Sequence, residues 1–285
     1  MNENIKTKAE VLHPREILAA ATTHIITAVC AFIAARAPVM NLFAPFGIAF
    51  AAGMPTPYIL TAGLGAAAGY FVPISEGSGF RYFAALFAVC TIRLLLGKIE
   101  GFEKKSFLFA LISLASSLVT SLATIAGGSF SFAHAIIEAV LVASGCFFVH
   151  RCVSAYGKEP TGLNSEELAC TIITINILLM GLYPLSVFGI SIGRILAMVL
   201  IMAVARYSKS SGGAIAGCTT AFFIMLCGGD VSSAAIIFAV GGLLCGVFGA
   251  LSKIVLAASF VVWCLIGAFF IAKDGAVFLL LSESA

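Results

Sequence analysis

The chain has 285 residues, of which 61% are apolar and only 10% charged, and its mean hydropathy is +1.12. A soluble domain carries about 25% charged residues, so a water-soluble fold of this length is excluded by the apolar surface it would have to hide. The net charge of +3 lies in short loops between apolar runs and not in a basic patch, which leaves no case for a nucleic-acid partner.

The first 16 residues, MNENIKTKAEVLHPRE, mix acids with bases and lead into a long apolar run; a cut after Ala37 would leave Pro38 badly placed for a signal peptidase. Residues 1–16 therefore read as a cytoplasmic N-terminal segment before an uncleaved first helix, Ile17 to Ala35. A helix needs about 20 apolar residues to cross a hydrocarbon core of roughly 30 Å. The next stretch falls short of that, because Pro55 and Pro57 split it into two pieces. These pieces either stand nearly upright in a thinned bilayer or form a hairpin of partial helices packed inside protein.

Phe80 to Gly97, Phe107 to Ile125 and Phe132 to Val153 follow as full spans. The polar loop SAYGKEPTGLNSEE comes next, with Asn164 or Ser165 available to cap the helix after it. Leu168 to Tyr183 and Phe188 to Ala205 make a pair around Pro184. A basic turn at Arg206 and Lys209 then leads into Gly212 to Cys227, a hinge at Asp230, Val231 to Leu251, and finally Ile254 to Ala272. The fold class is all-α, a polytopic transmembrane helical bundle of about ten to eleven segments. Its transmembrane domain is 17–272 and its short C-terminal tail 273–285.

Loop charges orient the bundle. With the N-terminus in the cytoplasm and every segment crossing, most Lys and Arg residues fall inside, and only Arg36, Arg81 and Arg194 fall outside. The tail then ends outside, unless GAVFLLLS turns back as a further element.

Glycines spaced four apart share a helix face and let a second backbone approach closely. Gly65 and Gly69, Gly213 and Gly217, and Gly242 and Gly246 are such pairs, and are the expected helix-packing positions. The likeness of GLGAAAGYF to GGLLCGVFG also suggests an internal repeat, an arrangement that marks the substrate site in many secondary transporters. Ionisable residues at membrane depth are costly unless paired. Glu138 and Arg194 lie equally deep in their segments and are expected to pair, with His134 one turn from Glu138; the set is either a structural salt bridge or an ion pathway. Arg93 is expected to snorkel to the inner surface, Asp230 to turn at the outer one, and Asn176 and His24 to bond between helices.

The nine cysteines form no CxxC pair and read as small core residues, so neither disulfides nor a metal or other cofactor is expected. There is no phosphate-binding glycine loop, GxSxG or HExxH, and the chain reads as non-enzymatic.

The phrases APFGIAFAAG at 44–53, SKSSGGAIAG at 208–217 and GLLCGVFGALSK at 242–253 resemble the N-terminal membrane domain of stage II sporulation protein E of endospore-forming bacteria. That resemblance implies a bacterial cytoplasmic-membrane anchor at the division septum, with self-association and partners among cell-division and sporulation proteins. Family members continue into a metal-dependent serine phosphatase that acts in cell differentiation. The phosphatase aspartates have no counterpart in this sequence, so the resemblance carries over no catalysis. The other reading of the residues is a small-solute transporter or substrate-binding membrane component, drawn from the paired short segments and from Glu138, Arg194 and His134.

Overall fold

Long apolar runs interrupted by proline, glycine and charge become helices and turns. The computed structural model describes residues 14–71, 79–97, 99, 101–102, 105–126, 131–156, 164–187, 190–228 and 232–270. In chain order the helices are α1 (Pro14–Ala35), α2 (Phe46–Gly53), a single 3-10 turn (Thr56–Tyr58), α3 (Ile59–Tyr70), α4 (Gly79–Leu96), α5 (Ser106–Ala126) and α6 (Phe132–Ser154). They continue as α7 (Ser165–Leu182), α8 (Ile192–Leu226), α9 (Ser232–Phe248) and α10 (Lys253–Phe270). Between α7 and α8 a small antiparallel hairpin pairs β1 (Ser186–Val187) with β2 (Ile190–Ser191), Ser186 opposite Ser191. The chain is an all-α membrane bundle. Among the described residues, stretches of α1, α5, α6 and α7 are long and apolar enough to cross a membrane, with shorter apolar helices at Ser211–Leu226, Ala234–Phe248 and Lys253–Gly267.

The two short pieces on either side of Pro55 and Pro57 form the hairpin of partial helices. All eight residues of α2 are buried, and α2 packs against α1, α3, α4, α5 and α6. Its first turn lies beside the end of α1, where a Cβ on Gly47 would come within 2.7 Å of the Ala35 Cβ, and its last residue, Gly53, packs on Val149 of α6. The chain turns back through Pro55 to Tyr58, beside His24 of α1 and Gly97 at the end of α4. α3 then runs parallel to α1, with Gly65 against Ala28 and Gly69 against Phe32 and Ala35.

α8 runs through 35 helical residues, yet it doubles back. A straight helix holds residues eight apart about 12 Å from one another. A Cβ on Gly212 would instead lie 3.1 Å from the Val204 carbonyl oxygen. Likewise Gly193, near the start of α8, touches Tyr183, while Thr220, near its end, bonds Asn176 less than three turns away on α7. The expected break at SKSSGG is therefore a reversal of direction within a continuous run of helical residues, and α8 supplies two arms. The described segments alternate in direction from α1 to α10, with the two arms of α8 counted separately.

α9 lies antiparallel on the second arm of α8. Gly213 and Gly217 meet Gly242 and Gly246 backbone to backbone, with a Cβ on Gly242 reaching within 2.4 Å of the Gly217 Cα. Arg206 does not stand in an open basic turn. Its guanidinium donates to the carbonyls of Gly249 at 3.1 Å and Leu251 at 2.5 Å, satisfying acceptors left free at the end of α9. α7 opens with a capping box in which the Asn164 side chain and Glu167 satisfy each other's backbone groups. The early and late glycine pairs make different contacts, parallel on α1 in one case and antiparallel on α8 in the other. The suggested repeat is thus not a repeated packing unit.

The described residues form two apolar cores. One gathers α1 to α6 around α2, with Ile177, Met180 and Phe223 added from the later helices. The other joins α7, α8, α9 and α10 around Ile201, Phe238 and Phe260. The cores meet where the Met40 amide donates to the Leu226 carbonyl at 2.6 Å and Phe46 faces Phe223 at 6.0 Å between ring centres. Met40 and Asn41 hold positive φ there, and Gly228, at φ +79°, fits against Met40. The turn expected at Asp230, most of the N-terminal segment 1–16 and the tail 273–285 lie outside the described residues.

Candidate functional site

α2 is a buried two-turn helix, and each of its ends leaves backbone groups without intrahelical partners. At its N-terminal end Pro45 offers no side-chain cap, and the neighbouring helices supply the polar atoms. The Tyr70 hydroxyl donates to the Ala44 carbonyl at 2.8 Å and accepts from the Ile48 amide at 3.1 Å. The Tyr82 hydroxyl accepts from the Ala44 amide and from the Arg81 guanidinium, both at 2.8 Å, and donates to Glu138. The two tyrosine rings stack at 4.8 Å, 13° from parallel.

Glu138, on α6, is 1% exposed and is the charge on which this cluster closes. Its carboxylate receives Arg81 at 3.1 Å and the Ser121 hydroxyl at 3.3 Å in addition to Tyr82. A buried carboxylate is tolerable only when paired and hydrogen-bonded, and α4, α5 and α6 meet these demands together. The positive end of the α2 dipole lies beside this anionic residue.

The C-terminal end of α2 is met by cationic and aromatic groups. Arg93 is fully buried, donates to the Met54 carbonyl at 2.5 Å and lies 3.5 Å over the Phe109 ring. The His150 ring approaches the Gly53 carbonyl at 3.3 Å and stands edge-on to Phe109. Arg93 therefore does not snorkel to a surface: a carbonyl freed at the end of α2, together with an aromatic face, offers it a better site within the bundle.

The expected Glu138–Arg194 pair does not form. Arg81 is the ion-pair partner of Glu138, and Arg194, on α8, lies within electrostatic reach of Tyr183 and Cys227. His134 packs its ring on Phe43 at 5.4 Å, one turn above Glu138. Depth along a segment could not separate Arg81 from Arg194, since both open segments at the same end. Order along the chain could not do so either, because α4 and α8 each lie two connections from α6. His24 bonds Thr61 at 2.8 Å and Asn176 bonds Thr220 at 2.9 Å, each joining two helices.

A family model described as SpoIIE, N-terminal domain, matches residues 1–285. The chain belongs to this family. No curated protein and no solved structure matches it. The SpoIIE N-terminal domain accounts for all 285 residues, and the match includes no phosphatase domain. Membership and the apolar helices together make this a SpoIIE-like membrane-anchoring region. In this member all six glycines singled out in the sequence, Gly65, Gly69, Gly213, Gly217, Gly242 and Gly246, are engaged in packing within one chain.

Proposed function

We propose that the chain is the multi-pass anchor and interaction region of a SpoIIE-like sporulation regulator, holding a serine phosphatase activity at the division septum with its own N-terminus in the cytoplasm. The family match over residues 1–285 carries this reading. Two features support it: α2 is locked at both ends inside the first core, as suits a rigid anchor, and Arg151, Arg206 and Lys253 gather at one end of the bundle while Arg36, Arg81 and Arg194 lie at the other. Among the described residues no group of three or more His, Cys, Asp or Glu could hold a metal ion.

The transport reading is drawn from the paired short segments and from Glu138, Arg194 and His134, of which Glu138 is the buried charge. That carboxylate is engaged by Arg81, Tyr82 and Ser121, a closed arrangement that serves the fold. The anchor reading is therefore preferred. A fluorescent protein fused after Ala285 and produced in a sporulating bacterium is expected to collect in a band at the septum. Fluorescence spread evenly around the membrane would overturn septal placement.

A further inference from the structure

Where the two cores meet, a cavity of about 400 Å³ opens between α6, α7, the second arm of α8 and the head of α2. Its inner wall is formed by Phe46, Gly145, Ile177 and Phe223, all buried, and its mouth by the exposed Cys218 and Phe222. Along α6 it extends from Leu141 to Phe148 and along α8 from Cys218 to Leu226, roughly 10 to 12 Å parallel to the helices.

The chemistry of the lining limits what can occupy it. Its hydroxyls belong to Ser144 and Thr219, and both bend back onto their own helices, Ser144 to the Val140 carbonyl at 2.9 Å and Thr219 to the Ile215 carbonyl at 2.7 Å. A buried water needs two to four polar partners, so the site is hostile to water. The volume falls in the roughly 300–1,000 Å³ range of ligand sites and is far larger than the gaps a packed interior tolerates. A helix from a second copy, about 10–12 Å across, is too wide for it. A slender, flexible, wholly apolar occupant entering sideways from the membrane fits.

We propose that this cavity holds one acyl chain of a bilayer phospholipid, wedged between the two cores as part of the packed structure. The occupant touches the Phe46 and Phe223 rings that join the halves. The proposal rests on the bundle lying in a membrane and is independent of the anchoring role.

The test uses the full chain in vesicles of phosphatidylethanolamine and phosphatidylglycerol, a small fraction of the latter carrying a diazirine midway along one acyl chain. Light is expected to attach the probe to Ile177 and Phe223 on the deep wall, as well as to exposed positions such as Val119 on α5. Cys218→Trp places a bulky ring in the mouth, and is expected to abolish labelling of Ile177 and Phe223 while sparing Val119. Ser144→Phe fills the same space from α6 and stands in if the first variant misfolds. Absence of labelling on the deep wall, or deep-wall labelling unchanged in a folded, monodisperse variant, would overturn the proposal.

Discussion

Arg81 and Glu138 show how tightly a single charge inside this bundle is constrained. Each is buried, and removing one leaves the other uncompensated, which costs about 3–5 kcal/mol. Glu138→Ala and Arg81→Ala are each expected to lower the unfolding free energy in detergent by that order, and the double variant by clearly less than the sum. Arg194→Ala combined with Glu138→Ala is expected to be additive, since the carboxylate of Glu138 pairs with Arg81. Additivity for Arg81 with Glu138 would show that the pair contributes nothing as a pair. The sequence makes Glu138 legible as a buried charge in need of a partner, because a lone carboxylate deep in an apolar run admits few readings. It conceals the partner, since hydropathy records depth and not which helices are neighbours. Arg93 is concealed for a related reason: snorkelling is what an arginine near a helix end does when nothing inside offers an acceptor, and Met54 offers one only once α2 ends beside it.

At the level of elements, small residues decide how closely helices approach. Gly217 faces the backbone of Gly242, and a Cβ there would lie 2.7 Å from the Gly242 Cα and 2.9 Å from the Phe238 carbonyl oxygen. Gly217→Leu is therefore expected to part α9 from the second arm of α8 and to reduce the yield of folded, monodisperse protein. If the same face served association between copies, the variant would remain folded and lose only its oligomer, an outcome that size-exclusion chromatography with light scattering separates from the first. The glycine spacing was readable as a packing face from the sequence. Whether that face meets its own chain or another copy was not, because a period of four fixes a helix face and not its occupant. The two short pieces around Pro55 and Pro57 were similarly readable as partial helices by length alone, whereas burial of every residue of α2 depends on five surrounding helices.

For the molecule as a whole, the direction of each pass leaves the start of α1 and the end of α10 at opposite ends of the bundle. Topology reporters at the N-terminus and after Phe270 are expected to report opposite sides of the membrane, the N-terminus inside. A reporter after Ala285 that reads cytoplasmic is what the tethering of a cytoplasmic phosphatase requires; an outside result at both Phe270 and Ala285 would overturn that tethering. The division into two cores also has a bearing on biogenesis. Nearly every side chain that surrounds α2 precedes Ala155, so the first core can close while the later helices are still being synthesised. The seam from Met40 to Leu226 and Gly228 can form only after the second arm of α8 has been made. Assembly is therefore expected to be sequential, the early bundle closing first and the tight loop at Met40 taking up Leu226 and Gly228 once the second half of the chain arrives.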